Sequence, residues 1–149
     1  MKNYAILAWN FRNAIEYAKS NGELNHDITF RNFPSGCCDD ASILLSEYLY
    51  EHGFCSSLVI GTYYGSETFD THNHAWLLVN EELIDITVDQ FKYNRNFPPI
   101  NESLFIGRSH ELYDYFENQN LYTDFGINSY DDFARKRLED LYNTIRKYA

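Results

Sequence analysis

Cysteine is scarce in this chain: Cys37, Cys38 and Cys55 are the only three, and two are adjacent. An odd count with that spacing makes a poor disulfide framework and suits a reducing compartment. Proline is equally scarce, at three residues, while aromatics reach 17% and charged residues 23%. That balance belongs to a globular chain and excludes a disordered one. Basic charge is short as well: 12 Lys and Arg face 22 Asp and Glu, for a net charge of −10. Such a field repels a phosphate backbone, so no nucleic acid partner is expected; a basic peptide or another protein is easier to accommodate. No run approaches the ~20 apolar residues that span a bilayer, so no membrane partner is expected. Met1 to Leu7 lacks the apolar core of a secretory signal, and a cytoplasmic protein is expected. There is no internal repeat, low-complexity tract or composition shift. The expectation is one domain over 1–149, long enough to bury a core without staples.

Against those absences stand two informative stretches. The first is Phe33-Pro34-Ser35-Gly36-Cys37-Cys38-Asp39-Asp40-Ala41-Ser42. It reads as a loop turning into a helix that runs from near Cys38 to about Glu51, with Ala41, Leu44, Leu45, Tyr48 and Leu49 inward. Gly53 then ends it. The second is His74-Ala75-Trp76-Leu77-Leu78-Val79, followed by Leu83-Ile84-Asp85-Ile86-Thr87. These read as two strands of a hairpin around Asn80-Glu81-Glu82.

The rest of the chain frames them. Ile6, Leu7, Phe11, Ala14, Ile15 and Ala18 predict a helix over 3–20, stopped by Asn21-Gly22. Pro34 keeps Phe33 out of the helical region. Ser57 to Tyr64 predicts a strand, residues 66–73 a polar loop, and Leu83 to Val88 the return strand of the hairpin. Residues 92–101, with Asn94, Asn96, Pro98 and Pro99, read as a mobile lip beside the site. Ser103 to Gly107 reads as one more strand and His110 to Asn118 as a short helix. A last helix is expected with Ser129 as N-cap and Asp132 completing a box. Tyr130, Phe133, Ala134, Leu138, Leu141, Tyr142 and Ile145 line its inner face.

The thiols carry the first chemical argument. A thiolate attacks carbonyls, and its formation is favoured at a helix N-terminus or beside an imidazolium. Gly36 permits a tight turn into such a helix, whose first free N–H groups can hold an oxyanion. Asp39 and Asp40 oppose a thiolate by like charge, less so if they point to solvent. Either member of the Cys37-Cys38 pair can instead be a small buried hydrophobe, and that role is expected of Cys55.

The histidine carries the second. His74, Trp76 and Leu78 share one strand face, as do Leu83, Asp85 and Thr87. With Asn80-Glu81 as the turn, Asp85 is the diagonal neighbour of His74; with Glu81-Glu82, Asp89 faces it instead. Either carboxylate can fix the tautomer of an imidazole that accepts a thiol proton. A solvent-exposed strand-end histidine is the alternative. His72 adds a His-x-His pair, to which Cys37, Cys38 or Asp85 could contribute ligands. No Cys-x-x-Cys spacing supports that set, so no metal and no other cofactor is expected. His26, His52 and His110 read as surface residues.

Taken together, Gly36-Cys37-Cys38-Asp39-Asp40-Ala41-Ser42, His74-Ala75-Trp76 and Asp85-Ile86-Thr87 resemble the transglutaminase-like superfamily within the papain-like fold. Phe33-Pro34-Ser35-Gly36-Cys37-Cys38 and Asp85-Ile86-Thr87-Val88-Asp89-Gln90-Phe91 are similar to motifs of its small bacterial members. The likeness covers about Phe33 to Phe91. It implies an α+β fold, with the Cys38 helix packed on the His74 face of a small antiparallel sheet and further helices at both ends. It implies Cys38 as nucleophile, since Gly53 lies fifteen residues on and Ser42 one turn on. His74 is then the base and Asp85 the orienting acid, with Trp76 roofing the site and Gly36 beside the substrate. The implied activity is acyl transfer through a thioester at Cys38, with water as acceptor, on a peptide or protein amide. The alternatives are a transglutaminase with an amine acceptor, and an inactive protein-binding module. Asp39 and Asp40 make the helix start more acidic than in many relatives.

Overall fold

Among the described residues, apolar residues at helical spacing and alternating runs build three α-helices and a five-stranded antiparallel sheet, an α+β architecture. The computed structural model describes residues 3–67 and 70–149. In chain order the elements are α1 (Asn3–Ser20), α2 (Cys38–Glu51), β1 (Ser57–Tyr64), β2 (Thr71–Val79), β3 (Glu82–Asp85), β4 (Phe105–Gly107), β5 (Glu117–Tyr122) and α3 (Asp132–Arg146). The sheet runs β4-β3-β2-β1-β5. Among the described residues no helix is long and apolar enough to cross a membrane.

The sheet has two covered faces. Leu58, Ala75, Leu77, Val79 and Ile84 join the inner faces of α1, α2 and α3 in the main core. Val59 and Trp76 point the other way, into a second core with Phe91, Phe97, Tyr113 and Phe116. Alternation along β2 therefore puts His74 with Trp76, on the side away from the helices. This corrects the expectation that the Cys38 helix packs on the His74 face. The helix covers the Ala75 and Leu77 face because those are the residues it can bury.

The β2–β3 hairpin settles the register. Val79 pairs with Glu82, Leu78 with Leu83 and Leu77 with Ile84. Asn80 and Glu81 form the two-residue turn, both at positive φ (50° and 70°), as a primed turn requires. One more pair puts Trp76 opposite Asp85, and so His74 diagonal to Asp85.

Several boundaries differ from the sequence reading. β2 begins at Thr71, inside the segment read as a polar loop. β3 ends at Asp85, and Val88–Phe91 turns into a short 3-10 helix. The segment read as a helix from His110 is a 3-10 turn, Glu111–Tyr115, followed by strand β5. The Glu117–Tyr122 strand is exposed along its whole length, so its polar sequence carries no alternation to read. The 92–101 segment is anchored by the buried rings and chains of Phe97 and Ile100. Asn94 does line the cleft described below. Cys55 is exposed rather than buried. It lies past the end of α2, before β1 turns inward.

α3 starts later than expected. Asp131, not Ser129, is the N-cap, and its carboxylate accepts from the Ala134 N–H at 3.0 Å. The inner face is Leu138, Leu141, Tyr142 and Ile145, while Phe133 stays exposed. Asp131→Ala is expected to cost about 1 kcal/mol of stability and Ser129→Ala nothing comparable. Denaturant midpoints of the two variants check this; equal losses would place the cap elsewhere.

Candidate active site

The site forms where the start of α2 meets β2. Gly36 sits at φ 74°, in the left-handed region that a side chain resists, and turns the loop into the helix. The preceding Phe33-Pro34 bond is cis, and Lys19 holds the Phe33 carbonyl at 2.7 Å. Cys37 takes the N-cap position but its side chain makes no capping bond. The first-turn N–H groups of α2 are thus left without a side-chain acceptor. Ser42, one turn on, lies 3.5 Å from the Ala75 carbonyl, which seats the helix start beside the first half of β2.

The two adjacent thiols are separated by this geometry. Cys37 is buried in the main core, and burial, aided by Cys38 and Asp40, pushes its thiol up to about 12. Cys38 is half-buried and lines a cleft of about 590 Å³ with Gly36, Asp39, Asp40, Asn73 and Gln90.

His74 is fully buried beneath that cleft. Its Nε2 donates to Asp85 Oδ2 at 2.6 Å. Its remaining nitrogen, Nδ1, is left for the side of Cys38, whose sulfur acts electrostatically on the imidazole. Burial works against a charged ring, yet Asp85 and the Cys38 sulfur raise its pKa to about 10. Asp85 is equally buried, and burial opposes its charge. His74, the Thr87 N–H (3.0 Å) and hydroxyl (3.2 Å), and the Tyr113 hydroxyl (2.9 Å) nonetheless hold its pKa below the usual carboxylate value. Tyr113 is pushed well above the ordinary phenol value by burial and by Asp85, so it remains a donor.

Packing fixes the ring. Phe91 stands edge-on to His74 with centroids 4.8 Å apart, and Phe116 lies 5.4 Å away. Gly61 pairs with His74 across β1 and β2, and a Cβ there would come within 2.9 Å of the Phe116 Cβ. The missing side chain is what admits Phe116 against the imidazole. Trp76, 1% exposed, packs behind His74 with centroids 5.6 Å apart and does not line the cleft. The expected roof over the site is a wall beneath it, because Trp76 belongs to the face that the helices leave free.

The acids of the helix start are handled separately. Asp40 is paired with Arg137 at 2.9 Å, and Arg137 also grips Asp27 at 2.8 Å. Asp39 stays at the surface, where desolvation and Asp40 push its carboxyl up. It is the acceptor of a long contact from the Cys38 sulfur, at 3.8 Å. Asp89, the alternative partner for His74, is taken by Arg12 in a bidentate pair at 2.7 and 2.8 Å. His72 pairs with Asp70 at 3.1 Å. Among the described residues no group of three His, Cys, Asp or Glu could hold a metal ion.

Comparison of the chain with family models, curated proteins and solved structures finds no match.

Of the residues singled out in the sequence, the fold brings Cys38, His74 and Asp85 together and places Gly36 on the cleft wall. It also recruits residues given no role there. Gln90 lines the cleft, with Nε2 3.3 Å from His74 Nδ1 and 3.1 Å from the Thr87 hydroxyl. Its only sequence signal was its place in the Asp89-Gln90-Phe91 run. Tyr113 comes from a segment 28 residues beyond Asp85 and carried no signal. His26 and His52 are exposed, whereas His110 is half-buried and accepts from the Leu112 N–H at 3.0 Å.

Proposed function

We propose that this protein is a cysteine-dependent acyl-transfer enzyme of the transglutaminase-like kind, with Cys38 as nucleophile, His74 as base and Asp85 as orienting acid. The observation that carries the reading is the buried imidazole, tied by one nitrogen to a carboxylate and turned by the other to a thiol at a helix start. His74 Nδ1 takes the Cys38 proton, giving a thiolate beside an imidazolium. The raised basicity of His74 equips it to take that proton. The thiolate adds to an amide carbonyl, and the first-turn N–H groups of α2 hold the oxyanion. The imidazolium then protonates the departing amine, leaving a thioester at Cys38. Water, deprotonated by His74, cleaves the thioester to an acid and restores the thiol.

A peptide or protein substrate suits the surface. Tyr93, 88% exposed, stands beside the cleft residue Asn94 and offers a ring to a polypeptide. The Asp39 carboxylate on the cleft wall favours one second reading, transamidation, because it attracts a cationic amine acceptor. Incorporation of a fluorescent amine into a glutamine-containing protein distinguishes it from hydrolysis.

The test is alkylation of each cysteine by iodoacetamide across pH, read residue by residue by mass spectrometry, with and without His74→Ala. Cys38 is expected to react faster than the exposed Cys55. His74→Ala removes that advantage. Cys37 stays unreactive in the folded protein, and exposed Cys55 serves as a reference insensitive to His74. Slow and similar reaction at Cys38 and Cys55 would sink the proposal and leave a binding module.

A further inference from the structure

Gln90 has a side chain whose orientation can be deduced rather than assumed. Asp85 is an ionised acceptor, so the Thr87 hydroxyl, 3.2 Å from its Oδ1, must donate to it. A hydroxyl has one hydrogen, so at 3.1 Å from Gln90 the same oxygen can only accept. That fixes the Gln90 amide with its NH₂ group toward Thr87 and His74. One N–H is spent on Thr87. The other is directed at His74 Nδ1, 3.3 Å away, the nitrogen that also faces Cys38.

That second bond exists only while Nδ1 is unprotonated. Once His74 holds the thiol proton, Nδ1 is itself a donor and the Gln90 N–H has no partner there. It is then a donor on the wall of the cleft that Cys38 also lines, anchored by Thr87. We infer that Gln90 is a catalytic residue, its side-chain N–H donating to the oxyanion formed when a carbonyl adds to Cys38. This rests on the reading of Cys38 as the acyl acceptor. In the step, the Cys38 sulfur forms a bond to the carbonyl carbon and the C=O π pair moves to oxygen. No proton moves, and the charge leaves sulfur for an oxygen that the Gln90 N–H and the α2 N–H groups share. Collapse returns the pair to carbon and expels the leaving group.

Two reagents separate this role from mere positioning of the imidazole. p-Nitrophenyl acetate acetylates a thiolate through a tetrahedral oxyanion and releases p-nitrophenolate. Iodoacetamide alkylates the same thiolate by displacing iodide, with no oxyanion. Gln90→Ala, and Gln90→Met to preserve volume, are each expected to slow Cys38 acetylation by about 10²-fold. Iodoacetamide rates fall far less than acetylation rates, and melting curves confirm that Gln90→Met is folded. Acetylation that is unchanged, or that falls in step with alkylation, overturns the inference. Cys38→Ala is run alongside: a p-nitrophenolate burst that survives it overturns the acyl-enzyme reading itself, and this role with it.

Discussion

Asp85→Asn is expected to slow acyl transfer at Cys38 by about 10⁴-fold, through the wrong imidazole tautomer. Asparagine keeps the shape of the aspartate and can still accept from Thr87. Its NH₂ then faces His74 Nε2, which must become the acceptor. The ring proton moves to Nδ1, and a nitrogen that already carries hydrogen cannot take one from Cys38. The same substitution changes stability with pH. His74 has a folded pKa of about 10 against an ordinary value of 6.5, so its contribution is complete below 6.5 and is lost as pH rises through about 10. Asp85 is depressed below 3.8, so its contribution is complete above 3.8 and is lost as pH falls through the depressed value. Breaking the buried pair is expected to cost about 3–5 kcal/mol between those limits. The gap between the two proteins should narrow on the alkaline side. Urea unfolding of both proteins at mildly acid and alkaline pH measures it, and a gap independent of pH would show that the pair is not charged in the native state.

Arg12→Met should be the most destabilising change outside the site. Arg12 is buried on α1, and its guanidinium hydrogen-bonds to four partners. It holds both oxygens of Asp89, the Ile86 carbonyl at 2.6 Å, the Ser103 carbonyl at 2.9 Å and Glu16 at 2.6 Å. It also lies 4.6 Å over the Phe33 ring. Methionine fills the volume but strands the Asp89 carboxylate, the buried Ile86 carbonyl and the half-buried Ser103 carbonyl. The expected loss is about 3–5 kcal/mol, a large part of the roughly 5–15 kcal/mol that holds a typical domain. Arg12→Lys should recover little, since a single ammonium cannot grip a carboxylate bidentately and reach the carbonyls. Denaturant midpoints decide, and a Lys variant as stable as the original would refute the forked geometry. The 86–91 turn that Arg12 ties to α1 also carries Thr87 and Gln90. Loosening it should therefore reduce the His74-dependent reactivity of Cys38.

The spacing of apolar residues was enough to place α1, α2 and the β2–β3 hairpin, because a helix or a tight turn is decided by neighbours in sequence. The same spacing put Cys38 at a helix start and set His74 and Asp85 on strands that could meet. It left two hairpin registers open, and with them a choice between Asp85 and Asp89. Two facts closed that choice: the primed turn that Asn80 and Glu81 adopt, and the capture of Asp89 by Arg12, 77 residues away. Arg12 was invisible because a charged residue on an inward helix face is legible only once its partners are known. β5 was invisible because an edge strand exposed on every residue has no alternation.

What the sequence by itself determined is the local chemistry: a thiol beside a glycine turn, an imidazole on one strand, a carboxylate on the next. What only the tertiary structure decided is which atoms face each other. The helices took the Ala75 face of β2, so Trp76 went beneath His74 rather than over the cleft. Burial silenced Cys37 and left Cys38 at the surface of the cleft. Tyr113 and Gln90 joined Asp85 and His74 from short 3-10 turns with no apolar pattern of their own. Periodicity encodes which side of an element is buried; the hydrogen bonds of a buried polar cluster depend on segments that meet only after folding.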